Sequence, residues 1–79
     1  MSEYLEFYIV KDTGKTQVYS VDSKRSGARL AVIKWYGPWR QYTLWPERDT
    51  IWNSACLRDV NNFIAQLMGA RAARMKAES

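Results

Sequence analysis

The feature that most restricts the fold is a change of hydrophobic period near residue 53. Before it, apolar and polar residues alternate with a period of two, as strands do. After it, apolar residues recur at steps of three and four, as on one side of a helix. Residues 4–10, Tyr-Leu-Glu-Phe-Tyr-Ile-Val, are aromatic and β-branched and read as a strand, with Leu5, Phe7 and Ile9 on one face and Tyr4, Glu6 and Tyr8 on the other. Lys11-Asp12-Thr13-Gly14 supplies a hairpin turn, and 16–21 a second strand. A polar loop carrying Lys24 and Arg25 leads to a third strand over 28–36, where Leu30, Val32 and Tyr36 alternate with Ala31, Ile33 and Trp35. Gly37-Pro38 signals a turn. The fourth strand, 39–45, alternates Arg40, Tyr42 and Leu44 with Gln41, Thr43 and Trp45, and Pro46 ends it. Thr50-Ile51-Trp52 offers a short fifth strand.

Asn53 or Ser54 is suited to cap a helix. Leu57, Val60, Ile64, Leu67 and Met68 then form an apolar stripe flanked by Phe63, giving a helix over 54–68. Gly69 is a weak stop, and 70–77 is rich enough in helix formers to extend it. The 79 residues make a single domain of α+β class: an antiparallel sheet of four to five strands followed by one C-terminal amphipathic helix packed on one face. The other face is left for solvent or a partner, and function is expected there.

Composition argues against most catalysis. The chain has no histidine, which removes the commonest general base and metal ligand. A single cysteine, Cys56, excludes an internal disulfide and a cysteine zinc site, and its place beside the apolar stripe suits a structural thiol. The eight acids are scattered, and Glu47 and Asp49 flanking Arg48 read as a solvated loop. The four glycines stand singly, so no phosphate-cradling loop exists. No catalytic residue, metal or cofactor is therefore expected, and the protein is read as non-enzymatic. No apolar run reaches the ~20 residues of a membrane span. The start, Met1-Ser2-Glu3-Tyr4, is unlike a secretory leader, so the expected location is the cytoplasm, with no membrane partner.

Two counts point instead to binding. Twelve Lys and Arg against eight Asp and Glu give a net charge of +4, and four Trp and five Tyr are many for this length. Rings can stack on unpaired bases, at ~1–3 kcal/mol per base, while interleaved cations hold phosphates. Lys34, Trp35, Trp39, Arg40 and Tyr42 form the principal candidate surface, with Lys24, Arg25 and Arg29 in support. The competing reading makes Trp35, Trp39 and Tyr42 core or hairpin clamps. Alternation forbids one face from using all of them: Lys34 and Tyr36 oppose Trp35, and Arg40 and Tyr42 oppose Trp39. Arg71, Arg74 and Lys76 form a second basic group, although cations also suit a helix C-terminus. Tryptophan, tyrosine and arginine equally mark protein interfaces. The expected partner is single-stranded nucleic acid, with the alternative a host protein that the chain inhibits, for instance in anti-defence, and with homodimerisation open.

The segment Ile33-Lys34-Trp35-Tyr36-Gly37-Pro38-Trp39-Arg40-Gln41-Tyr42, followed by Trp45-Pro46, Asp49-Thr50-Ile51-Trp52-Asn53, Cys56-Leu57-Arg58-Asp59-Val60 and Phe63-Ile64, resembles a family of small phage and prophage proteins generally of unknown function. That pattern has a W-Y-G-P-W-R-Q-Y block before a C-L-x-D-[IV] helix and covers residues 28 to 68. Trp45 and Trp52 depart from it, standing where Phe is expected. The resemblance implies a viral or mobile-element setting, hence host-cell cytoplasm, and no activity. In element order alone, strands then one helix, the chain also resembles single-stranded-DNA-binding transcriptional coactivators and their phage relatives. No binding residue is carried over from that likeness.

Overall fold

The computed structural model describes residues 4–78, with side chains through Arg74. Four strands run β1 (Leu5–Asp12), β2 (Gln17–Ser23), β3 (Arg29–Tyr36) and β4 (Gln41–Pro46), and α1 (Ser54–Glu78) follows. A single 3-10 turn, Gly37–Trp39, joins β3 to β4. The sheet is an antiparallel meander in the order β1-β2-β3-β4, so the fold is α+β as the periodicities require.

Short connections enforce this order. Asp12 accepts the Gly14 amide through Oδ1 at 2.8 Å, and Gly14 takes a φ of 90°, which closes the first hairpin. Gly27, at φ 75°, turns the chain from β2 to β3. Arg40 closes the 3-10 turn in a left-handed conformation, φ 51°, with its amide on the Gly37 carbonyl at 3.1 Å. That conformation costs a side-chain-bearing residue about 1–2 kcal/mol.

The registers divide the sheet into two faces. Phe7 lies opposite Val21, Tyr19 opposite Ile33, Val21 opposite Ala31, Ile33 opposite Leu44 and Trp35 opposite Tyr42. These residues share the face beneath α1, where Leu5, Val21, Ala31, Ile33, Tyr42 and Val60 are buried. Phe63 stacks on Phe7 at 4.2 Å between centroids and receives the Tyr19 ring edge-on at 5.0 Å. Ile64, Leu67, Met68, Cys56 and Trp52 complete the packing. Leu57 is half exposed, and Cys56 takes the inward place in the first helical turn instead. Asn53 is the cap: its Oδ1 accepts the Cys56 amide at 2.8 Å.

Two expectations are revised, and one left open is decided. Residues 50–52 are not a strand; Trp52 turns inward, its indole N–H on Thr50 Oγ1 at 2.9 Å, while Ile51 is 92% exposed. Residues 39 and 40 belong to the turn, so β4 begins at Gln41. Gly69 does not stop the helix, which continues to Glu78. A 25-residue helix spans ~37 Å, against ~27 Å for an eight-residue strand, so α1 outruns the sheet along the 42 Å long axis. No helix among the described residues is long and apolar enough to cross a membrane.

Candidate aromatic and basic binding surface

The open face is built from the residues out of phase with the core. Along β3 these are Val32, Lys34 and Tyr36, and along β4 Gln41, Thr43 and Trp45, with Lys34 opposite Thr43 and Val32 opposite Trp45. At the β3–β4 edge of this face lies a three-ring cluster. Tyr36 meets Trp39 edge-on at 5.0 Å and Trp45 at 6.0 Å, so its ring lies between two indoles. Trp39 is 66% exposed and Trp45 43%. Tyr36, Trp39, Thr43, Leu44 and Trp45 line a shallow hollow of about 290 Å³.

Hydrogen bonds fix the orientation of this cluster. The Trp45 indole N–H donates to Thr43 Oγ1 at 2.8 Å, and that hydroxyl donates to the Lys34 carbonyl at 3.1 Å. Lys34 Nζ lies 4.3 Å from the centroid of the Trp45 ring, a cation–π contact that leaves the ammonium beside the open rings. Further along the sheet, Tyr8 is half exposed and donates to the Glu6 carboxylate. That hydrogen bond, with slight desolvation and the carboxylates of Glu6 and Asp22, holds the Tyr8 phenol above its ordinary value.

The structure sorts the residues singled out by sequence. Lys34 and Trp39 lie with the open rings. Tyr42 does not: it is 4% exposed, its hydroxyl donates to Gln17 Oε1 at 3.2 Å and its ring receives Trp35 edge-on at 5.5 Å. Tyr42 is therefore a core residue and not a stacking platform. Trp35 shares that covered face, half-buried, with the Arg71 guanidinium 4.1 Å over its ring. Arg40 is exposed but turns toward the helix side, lining a hollow with Trp35, Gly37, Met68 and Arg71. Arg29 donates through Nε to Ser20 Oγ at 2.9 Å, and Ser20 donates in turn to Asp22, so its charge is held in a polar trio. Lys24 and Arg25 lie in the β2–β3 loop, at the opposite end of the strands from Trp39. They do not join the ring cluster.

Tyr36 and Trp45 were missed as site residues. Their signal is phase: Gln41 and Thr43 mark the polar side of β4, and Trp45 follows them by alternation.

A hollow of about 550 Å³ runs between β1 and α1 past Glu6, Tyr8, Lys24, Asp59 and Gln66. Among the described residues no three acids or cysteines gather as a metal site.

No protein-family model matches the sequence. No solved structure matches it either. The chain is 36% identical over 72 residues to the "Uncharacterized 9.3 kDa protein" of Acholeplasma phage L2, across 89% of this chain and 91% of that one. With such identity along nearly the whole of both chains, this protein belongs to the same family of small phage proteins as its counterpart from phage L2.

Proposed function

We propose that the protein is a non-enzymatic phage accessory factor that binds single-stranded nucleic acid across the open face of its sheet. The observation carrying this reading is the Trp39–Tyr36–Trp45 cluster, with Lys34 against its rim and two exposed indoles. Trp39 and Trp45 are the platforms on which bases stack. Lys34 supplies charge next to them, and Thr43 holds Trp45 in place. A net charge of +4 attracts a polyanion to the whole domain. Stacking suits any base, so little sequence preference is expected.

The test is fluorescence anisotropy of a labelled oligothymidylate over a salt series. Affinity should fall steeply as salt rises and should exceed that for a duplex of the same length. Trp39→Ala should weaken binding by ~1–3 kcal/mol, or about 5- to 150-fold. An oligonucleotide that fails to bind at low salt overturns the reading.

A second reading, inhibition of a host protein by direct contact, is favoured by a different observation. Ile51 and Leu57 stand 92% and 49% exposed around the start of α1, where a nucleic-acid site has no use for them. Binding to a host protein that is lost in Ile51→Asp and kept in Trp39→Ala would select it.

A further inference from the structure

The basic group near the end of α1 is not simply a solvated helix terminus. The β1–β2 and β3–β4 turns lie at the same end of the meander, and α1 passes over that end as it outruns the sheet. There Arg71 and Arg74 reach across 56 and 59 residues of sequence to one acceptor. Arg71 donates to the Lys15 carbonyl at 3.0 Å, and Arg74 approaches the same oxygen at 3.5 Å. Trp35 supports the Arg71 guanidinium from beneath. Lys15, Arg71 and Arg74 line a hollow of about 140 Å³ together with Gln17, Tyr19 and Tyr42. Among the described residues no carboxylate pairs with either arginine. The nearby acid, Asp12, is occupied by the Gly14 amide and by Gln17. Two arginines thus meet at a neutral carbonyl, which leaves most of their donors for an anion.

We propose that this cleft is a phosphate subsite, formed by Lys15, Arg71 and Arg74, that takes a backbone phosphate of the bound single strand. The proposal rests on the nucleic-acid reading and deepens it. Arg71 also lines the neighbouring hollow of about 430 Å³, with Trp35, Gly37 and Arg40. The 37–40 turn separates that hollow from the open rings: Gly37 and Arg40 line the helix side, and Trp39 belongs to the cluster on the other side. A strand stacked on Trp39 crosses the turn past Arg40 and places its next phosphates at Arg71. The subsite needs cations fixed in one place, and the hairpin carbonyl and the Trp35 ring fix the two arginines before the ligand arrives.

Two measurements test this together. The Nε–H resonances of Arg71 and Arg74 are followed by NMR as inorganic phosphate, and separately oligothymidylate, is added against a chloride control of equal ionic strength. The dependence of oligothymidylate affinity on salt is then compared in wild type, Arg71→Gln/Arg74→Gln and Lys15→Gln. Each phosphate neutralised on a single strand contributes about 0.7 to the slope of log K against log salt, so losing the one at this subsite in the double variant should lower the slope by about 0.7, and Lys15→Gln should lower it by part of that. Lys15→Gln keeps the backbone carbonyl that holds the arginines, so its effect is free of any disturbance to the hairpin. Arginine resonances that move with phosphate and with the oligonucleotide, together with the reduced slopes, establish the subsite. Oligonucleotide binding with unchanged slopes and unmoved arginines overturns it and leaves the ring cluster standing. Arginines that respond to phosphate while the oligonucleotide does not bind uphold the anion site and remove the strand as its ligand. Arginines that respond to neither remove the subsite.

Discussion

The two faces of one sheet use nearly the same side chains for different ends. Under α1, Phe7, Tyr19, Tyr42, Trp35 and Phe63 interlock with each other and with the aliphatic core. On the open face, Tyr36 meets Trp39 and Trp45 edge-on, and the two indoles keep much of their surface in water. Even the cation–π contacts differ in outlook. Arg71 covers Trp35 from the helix, whereas Lys34 approaches Trp45 from within the sheet. The type of ring does not decide its role; its phase relative to the helix does. An aromatic count predicts neither face, and one residue of register exchanges the two.

The largest expected contrast is in stability. Ile33→Ala empties a fully buried position and should cost about 2–5 kcal/mol, enough to unfold much of a domain this small. Val32→Ala, one residue earlier and on the open face, should cost about 1 kcal/mol. Denaturant midpoints of the two variants measure the difference, and equal losses would break the two-face account.

The second contrast separates binding from folding. Trp35→Ala should lower stability by roughly 2 kcal/mol, because it removes the ring between Tyr42 and Arg71. Trp39→Ala should stay within about 0.5 kcal/mol of wild type by thermal melting, since its effect belongs to the ligand. Gly69→Ala should have a smaller effect than Trp35→Ala, and of opposite sign. Nothing lies within 4 Å of the added methyl, and the helix should gain up to about 1 kcal/mol, seen as a higher melting temperature.

The smallest effect concerns pH. Burial raises the Tyr19 phenol above its ordinary 10.0, with contributions from the Tyr42 phenol and the Asp12 carboxylate. In the unfolded chain the proton leaves at the ordinary value, and in the folded chain later. The stabilisation is complete below pH 10.0 and is lost as pH climbs through the higher folded value. Urea midpoints between about pH 9 and 11 should therefore fall less in Tyr19→Phe than in wild type.

The strands and helix were legible because their periods differ and because Gly14, Gly27 and Gly37-Pro38 punctuate them. The pairing of Trp35 with Tyr42 was not, since it depends on how many residues the β3–β4 turn consumes. A 3-10 turn ending in a left-handed Arg40 removes Trp39 and Arg40 from the strand. That moves Tyr42 inward and frees Trp39 from strand alternation altogether. Residues 50–52 looked like a strand because Ile and Trp favour one, yet the sheet is complete without them and Trp52 is drawn into the core. The Lys15–Arg71–Arg74 cleft joins a hairpin to a helix end far away in sequence, and no local pattern announces such a meeting.

The indole N–H resonances offer the most direct test, because the four tryptophans sample both faces. On adding oligothymidylate, Trp39 and Trp45 should shift in step with binding while Trp52, held on Thr50 behind the sheet, stays in place. A Trp52 resonance that moves as far as those of Trp39 and Trp45, or two open-face indoles that do not respond while the oligonucleotide binds, would contradict the account.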